Sequence, residues 1–206
     1  MDADYSIELG PTAPALELPW HDPSGRCVYV NLRRQPERIT ELDEVQSFPV
    51  LGELLRLLNA PGSPWETAKC DVWSEEEDSA ENETPAAAFS QHCYVDLVLT
   101  AEHLALRNKL ATHETLARRI AHLLEENGEE LDATAAEVVI RRCYYHPDGA
   151  VDSPSEDGYC LTLYLSGYGA TRLKAEEQWR RALQLAGCCL PGLTPLDSEA
   201  PNGEVG

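Results

Sequence analysis

Five stretches of this chain alternate apolar and polar side chains, and stretches of helical period lie between several of them. That pattern leaves few ways to fold. The alternating stretches are RCVYVNLR (26–33), ETAKCDVW (66–73), QHCYVDLVLT (91–100), AEVVIRRCYYH (136–146) and GYCLTLYLSG (158–167). Successive side chains of an extended chain point to opposite sides, so each stretch predicts a strand with one buried and one polar face. The segment 43–59 carries Val50, Leu51, Leu54, Leu55 and Leu58 at the spacing of one helix face. Pro49 falls near its start, where a missing N–H costs nothing. In 101–128, Leu106, Leu110, Ala117, Ile120 and Leu124 make one stripe; Asn127 and Gly128 close it, and Thr112 offers a cap for a break inside it. A last helix is predicted over 170–189, with Leu173, Trp179, Ala182, Leu183 and Ala186 as its buried face.

Between the first helix and the second strand stands LNAPGSPWETAKCDVW (58–73). Asn59 in the left-handed conformation would close the helix, Pro61 stops it, and PGSP is turn chemistry. Trp65 is expected to anchor this corner in the core.

The order of elements selects a fold class. VYVNL (28–32) and CYVDL (93–97) echo each other, and each opens a strand–helix–strand unit. Two such units in tandem give the βαββαβ order of a ferredoxin-like core. The expectation is an α+β protein in which that core is extended by an extra strand and a C-terminal helix. Helices then cover one face of a mostly antiparallel sheet, and the strands at 26–33 and 91–100 are neighbours. Val28, Val30, Leu32, Cys93, Val95 and Leu97 would face the helices. The expected organisation is an acidic, Pro-containing arm (1–25), one domain (26–190) with an acidic loop (74–90), and a disordered acidic tail (191–206). Leu16, Leu18 and Trp20 alternate in the arm, which suits an edge strand.

Charge narrows the partners. The net charge is −20, and all sixteen Lys and Arg lie in or beside the predicted elements, so the tails and long loops are purely acidic. Such a surface repels phosphate backbones, which argues against nucleic acid and anionic membrane as partners. No apolar run approaches the ~18 residues of a membrane span. The opening MDADYSIELG lacks a basic start and an apolar stretch, so no secretory leader is expected. The seven cysteines show no C-x-x-C spacing, and Cys27, Cys70, Cys93, Cys143 and Cys160 fall in or beside predicted strands. Reduced thiols used as small core residues, in a cytoplasmic protein, explain them.

The polar face of the predicted sheet holds the candidate site: Tyr29, Asn31, Lys69, Asp71, Trp73, Tyr94 and Asp96, with Thr162 and Tyr164 beside them on the added strand. Rings next to carboxylates, an amide and a lysine suit a partner's basic side chain or a small polar ligand. Asp71 and Asp96 would form an acid–base pair if they stood close together, whereas Lys69 would more simply neutralise Asp71. The six histidines lack metal-ligand spacing, and no metal or cofactor is expected. In SGYGATR (166–172), two glycines precede Arg172, which suits an anion cradle, but an ordinary flexible loop is the simpler expectation. The leading functional expectation is a non-enzymatic protein-binding module of the inhibitor, immunity or adaptor kind that engages a basic protein. Burial of the same face in a homodimer competes with it. The alternative is a small-molecule-binding protein or an enzyme working on the open face.

Overall fold

A computed structural model describes residues 1–22, 24–25, 27–76, 87–146 and 154–195. Its strands are β1 (Asp2–Glu8), β2 (Ala15–Leu18), β3 (Trp65–Glu76), β4 (Phe89–Leu99), β5 (Thr134–Tyr145) and β6 (Glu156–Gly169). Its helices are α1 (Asp43–Ser47), α2 (Pro49–Leu58), α3 (Leu110–Asn127) and α4 (Arg172–Cys189). The strands form one six-stranded sheet in the order β1-β5-β6-β4-β3. β1 and β2 share one edge, pairing parallel with successive halves of β5. All other pairings are antiparallel. The class is α+β with a mostly antiparallel, mixed open sheet. No helix among the described residues is long and apolar enough to cross a membrane.

Alternation places the core as expected. Cys93, Val95 and Leu97 of β4, Val138 and Ile140 of β5, and Leu161, Leu163 and Leu165 of β6 are buried in one cluster with α2, α3 and α4. Trp65 is fully buried and donates from Nε1 to Leu190 O at 3.0 Å, so it does anchor the corner. The opposite face carries a smaller cluster at one end. There Leu16 and Leu18 of the arm cluster with Ala68, Val98, Cys143, Tyr145 and Cys160, and Tyr29 packs against them.

Several expectations need correction. Residues 27–33 form no strand, so the ferredoxin-like order lacks its first strand and the neighbour of β4 is β6. The alternation of that stretch survives in part without a ladder. Val30 and Leu32 are buried in the main core, whereas Val28 is 67% exposed. The outer edge of β3, where a strand would pair, is occupied instead by side chains. Arg33 donates to Trp65 O, Asn59 Oδ1 accepts from Thr67 N, and Trp20 Nε1 donates to Ala68 O. Asn59 is not left-handed (φ −92°); its amide also bonds Leu55 O and Thr67 Oγ1, stitching helix end to strand.

The first helix breaks at Phe48, and Pro49 opens α2. The second breaks at residues 107–109, after a 3-10 turn at Ala101–Leu106, and not at Thr112, which is buried inside α3. Leu173 is 75% exposed and does not belong to the buried face of α4. The expectations for the centre of the acidic loop (77–86), for the 147–153 loop and for the tail beyond 195 lie outside the described residues.

Candidate functional site

The sheet face away from the helices collects the candidate residues because the strand registers align them. Asp71 stands opposite Tyr94, and Trp73 opposite His92. Tyr94 stands opposite Tyr164, and Asp96 opposite Thr162. A β-bulge between Thr67 and Cys70 absorbs one extra residue of β3. As a result, Cys70 still faces the core while Asp71 and Trp73 face away from it.

The residues divide into three groups. At the arm end, the Tyr29 hydroxyl donates to Glu66 Oε1 at 3.1 Å, and Asn31 Nδ2 donates to the same oxygen. Burial, reinforced by the Glu66 charge, holds the Tyr29 hydroxyl well above its usual range. Tyr29 and Asn31 therefore fasten the chain to β3.

In the middle lies a polar chain. Glu8 takes two bonds from Arg141, at 3.1 and 2.9 Å, and Arg141 lies 3.3 Å from Thr162 Oγ1. Thr162 donates to Asp96 Oδ1 at 2.6 Å. Asp96 is buried, and loss of hydration raises its carboxyl above the usual range; the Thr162 bond and the charges of Arg141 and Lys69 oppose the shift.

At the far end is a ladder of half-buried rings. Trp73 stacks on His92 with centroids 5.2 Å apart, and Tyr94 stands 6.5 Å from Trp73. Tyr164 lies 5.9 Å from Tyr94, and Tyr168 lies 6.0 Å from His92. The Arg141 guanidinium sits over Tyr164 at 5.5 Å. Burial raises the Tyr94 hydroxyl, with Asp96 and Asp71 adding to the effect.

Asp71 and Asp96 do not make a shared-proton pair. Asp71 is exposed and accepts from Val72 N at 2.7 Å, whereas Asp96 is buried on Thr162. Lys69 lies 5.4 Å over the Trp20 ring, and no ion pair among the described residues joins it to Asp71. A cleft of about 640 Å³ opens beside β3; it takes in Lys69, Asp71 and Tyr94 but not Tyr29, Asn31, Trp73 or Asp96. The expected single concavity is therefore two features, a ring-lined face and an edge cleft. No group of three or more His, Cys, Asp or Glu among the described residues is placed to hold a metal ion. No family model, no curated protein and no solved structure matches the chain.

Sequence reasoning missed Glu66, His92, Arg141, Glu8, Trp20 and Tyr168. His92 was within reach, since it precedes Tyr94 by one strand period. Tyr168 needed only one more residue of strand after Gly167. Glu8 carried no local signal, and Trp20 was read only as part of an alternating arm; the roles of both come from pairing with distant elements.

The glycines of SGYGATR have a different role from either reading. Both lie in β6 beneath α4. A Cβ on Gly167 would stand 2.1 Å from Trp179 N, and one on Gly169 would stand 2.6 Å from Ala175 N. They let the helix backbone approach the strand.

Proposed function

We propose that this protein is a non-enzymatic protein-binding module, of the inhibitor, immunity or adaptor kind, whose open sheet face engages a basic protein. The observation that carries the reading is the ring ladder. Trp73, His92, Tyr94, Tyr164 and Tyr168 form a contiguous half-buried surface across three strands. Aromatic residues of this kind dominate protein interfaces, because they bring large contact area at small entropic cost. Carboxylates flank the rings: Asp71, Glu75 and Glu137 are all exposed. Arg141 beside the rings is already paired with Glu8. The surface therefore favours a cationic partner, and the net charge of −20 acts in the same direction at long range. A second copy of so acidic a chain is the poorer occupant, which sets the homodimer reading behind this one.

The test is capture from an extract of the source organism, at about 0.05 M and about 0.5 M salt. A basic protein should be retained at low salt and released at high salt. The Trp73→Ala/Tyr164→Ala variant should retain much less of it. Only salt-insensitive partners, none at all, or equal capture by the variant would overturn the reading.

A further inference from the structure

β3 closes one side of the sheet, with β4 on its inner flank and, among the described residues, no strand on its outer one. Exposed strand edges are templates for pairing unless they are blunted. The first half of β3 is blunted by Arg33, Asn59 and Trp20, which take Trp65 O, Thr67 N and Ala68 O. These three contacts all fall before Cys70. Val72 N donates to the carboxylate of its neighbour Asp71 at 2.7 Å. Residues 27–32 alternate like a strand, yet among the described residues no backbone hydrogen bond joins them to β3. The cleft of about 640 Å³ lies between the two, in the size range of binding sites.

Its lining specifies an occupant. Val30, Leu32 and Leu55 make an apolar wall, and Trp20 and Tyr94 add rings. Asp43, Glu44 and Asp71 supply carboxylates at the rim. Among the described lining residues, Arg38 pairs with Glu41 at 2.8 Å and Lys69 lies over Trp20. The chain's own residues 77–86, 147–153 and 196–206 carry acids and no Lys or Arg, so their charge opposes entry.

We propose that this cleft receives an extended basic segment of the partner protein, which adds as a strand to the outer edge of β3 around residues 70–74. One side of such a segment would lay apolar groups against Val28 and Val30, and the other would offer cations to Asp43, Glu44 and Asp71. Backbone bonds would give affinity and the alternating side chains specificity. The inference rests on the protein-binding reading for the class of partner and adds where and in what conformation it is held.

The experiment uses the full chain and three fluorescein-labelled octapeptides: alternating Val and Lys, the same peptide N-methylated at alternate residues, and alternating Val and Glu. The Val/Lys peptide should bind at low salt and slow hydrogen exchange at the Val72 amide. N-methylation should weaken binding at least tenfold, because it removes ladder donors. The Asp43→Lys/Asp71→Lys variant changes two exposed residues, and its fold is checked by circular dichroism; it too should bind at least tenfold less tightly. The Val/Glu peptide should not bind. Equal binding of the N-methylated peptide, protection confined to other strands, or no binding of the Val/Lys peptide would overturn the inference. Benzylammonium binding in the cleft without peptide binding would do the same, assigning it to small organic cations. Capture of a basic partner that leaves Val72 unprotected would sink strand addition while sparing the protein-binding reading.

Discussion

Asp96 shows how one residue can be both a candidate for function and a cost to the fold. Its carboxyl is buried on the sheet face, bonded to Thr162, and held above its usual range mainly by lost hydration. A group whose folded pKa is raised favours folding below its unfolded value, about 3.9 for Asp, and that contribution disappears as pH rises through the folded value. Asp96→Asn keeps an acceptor for Thr162 and removes the ionisation. The melting temperature of the variant relative to the parent should therefore rise as pH increases from about 3.5 to neutrality. Thermal denaturation across that range measures it, and a difference that is flat with pH would refute the assignment. The cysteines follow the same physics. Cys93 is fully buried, and loss of hydration pushes its thiol up to about 12, which suits a packing group and not a nucleophile.

At the scale of elements, the contact of α4 with β6 depends on glycine. Trp179, Ala182, Leu183 and Ala186 are buried against the sheet, and Gly167 lies directly under the helix backbone. Gly167→Ala would drive a methyl to 2.1 Å from Trp179 N and 2.5 Å from Ala175 O. Backbone cannot give way as a flexible side chain can, so α4 would have to lift. The expected loss is about 3 kcal/mol, or about 10 °C in melting temperature. Differential scanning calorimetry tests this, and a loss below about 1 kcal/mol would show that α4 adjusts freely. Elsewhere, elements are joined by polar stitches. Asn59 ties α2 to β3, and the Arg141–Glu8 pair ties β5 to β1. These stitches stand where the hydrophobic pattern is silent.

For the molecule as a whole, charge is the dominant long-range force. A net charge of −20 on 206 residues opposes compaction, and the ion pairs at the surface, such as Lys174–Glu177 and Arg180–Glu176, recover little of that. Raising ionic strength from about 0.01 to about 0.15 M shortens the Debye length from about 30 to about 8 Å. Melting temperature should rise with salt over that interval, while binding to a basic partner weakens. A melting temperature that fell with salt would mean that local ion pairs outweigh the global repulsion.

Period-two alternation and helical stripes depend only on covalent geometry and on burial of apolar groups. They were therefore enough to define four of the six strands, the buried face of α2, the α+β class and the shared face of Asp71, Trp73, Tyr94 and Asp96. Residues 27–32 mark where that logic stops. Their pattern is that of a strand, but a ladder needs a partner with unoccupied backbone groups, and Arg33, Asn59 and Trp20 reach the β3 edge first. The alternation of Leu16 and Leu18 marked β2 as an edge strand without naming its partner, and β1 carried too little apolar signal to forecast its place, since parallel pairing with β5 is decided by what that edge leaves unpaired. The edge cleft and the Glu8–Arg141–Thr162–Asp96 chain exist only through contacts between distant segments. Local pattern determines which way a side chain points; only the assembled sheet decides what stands opposite it.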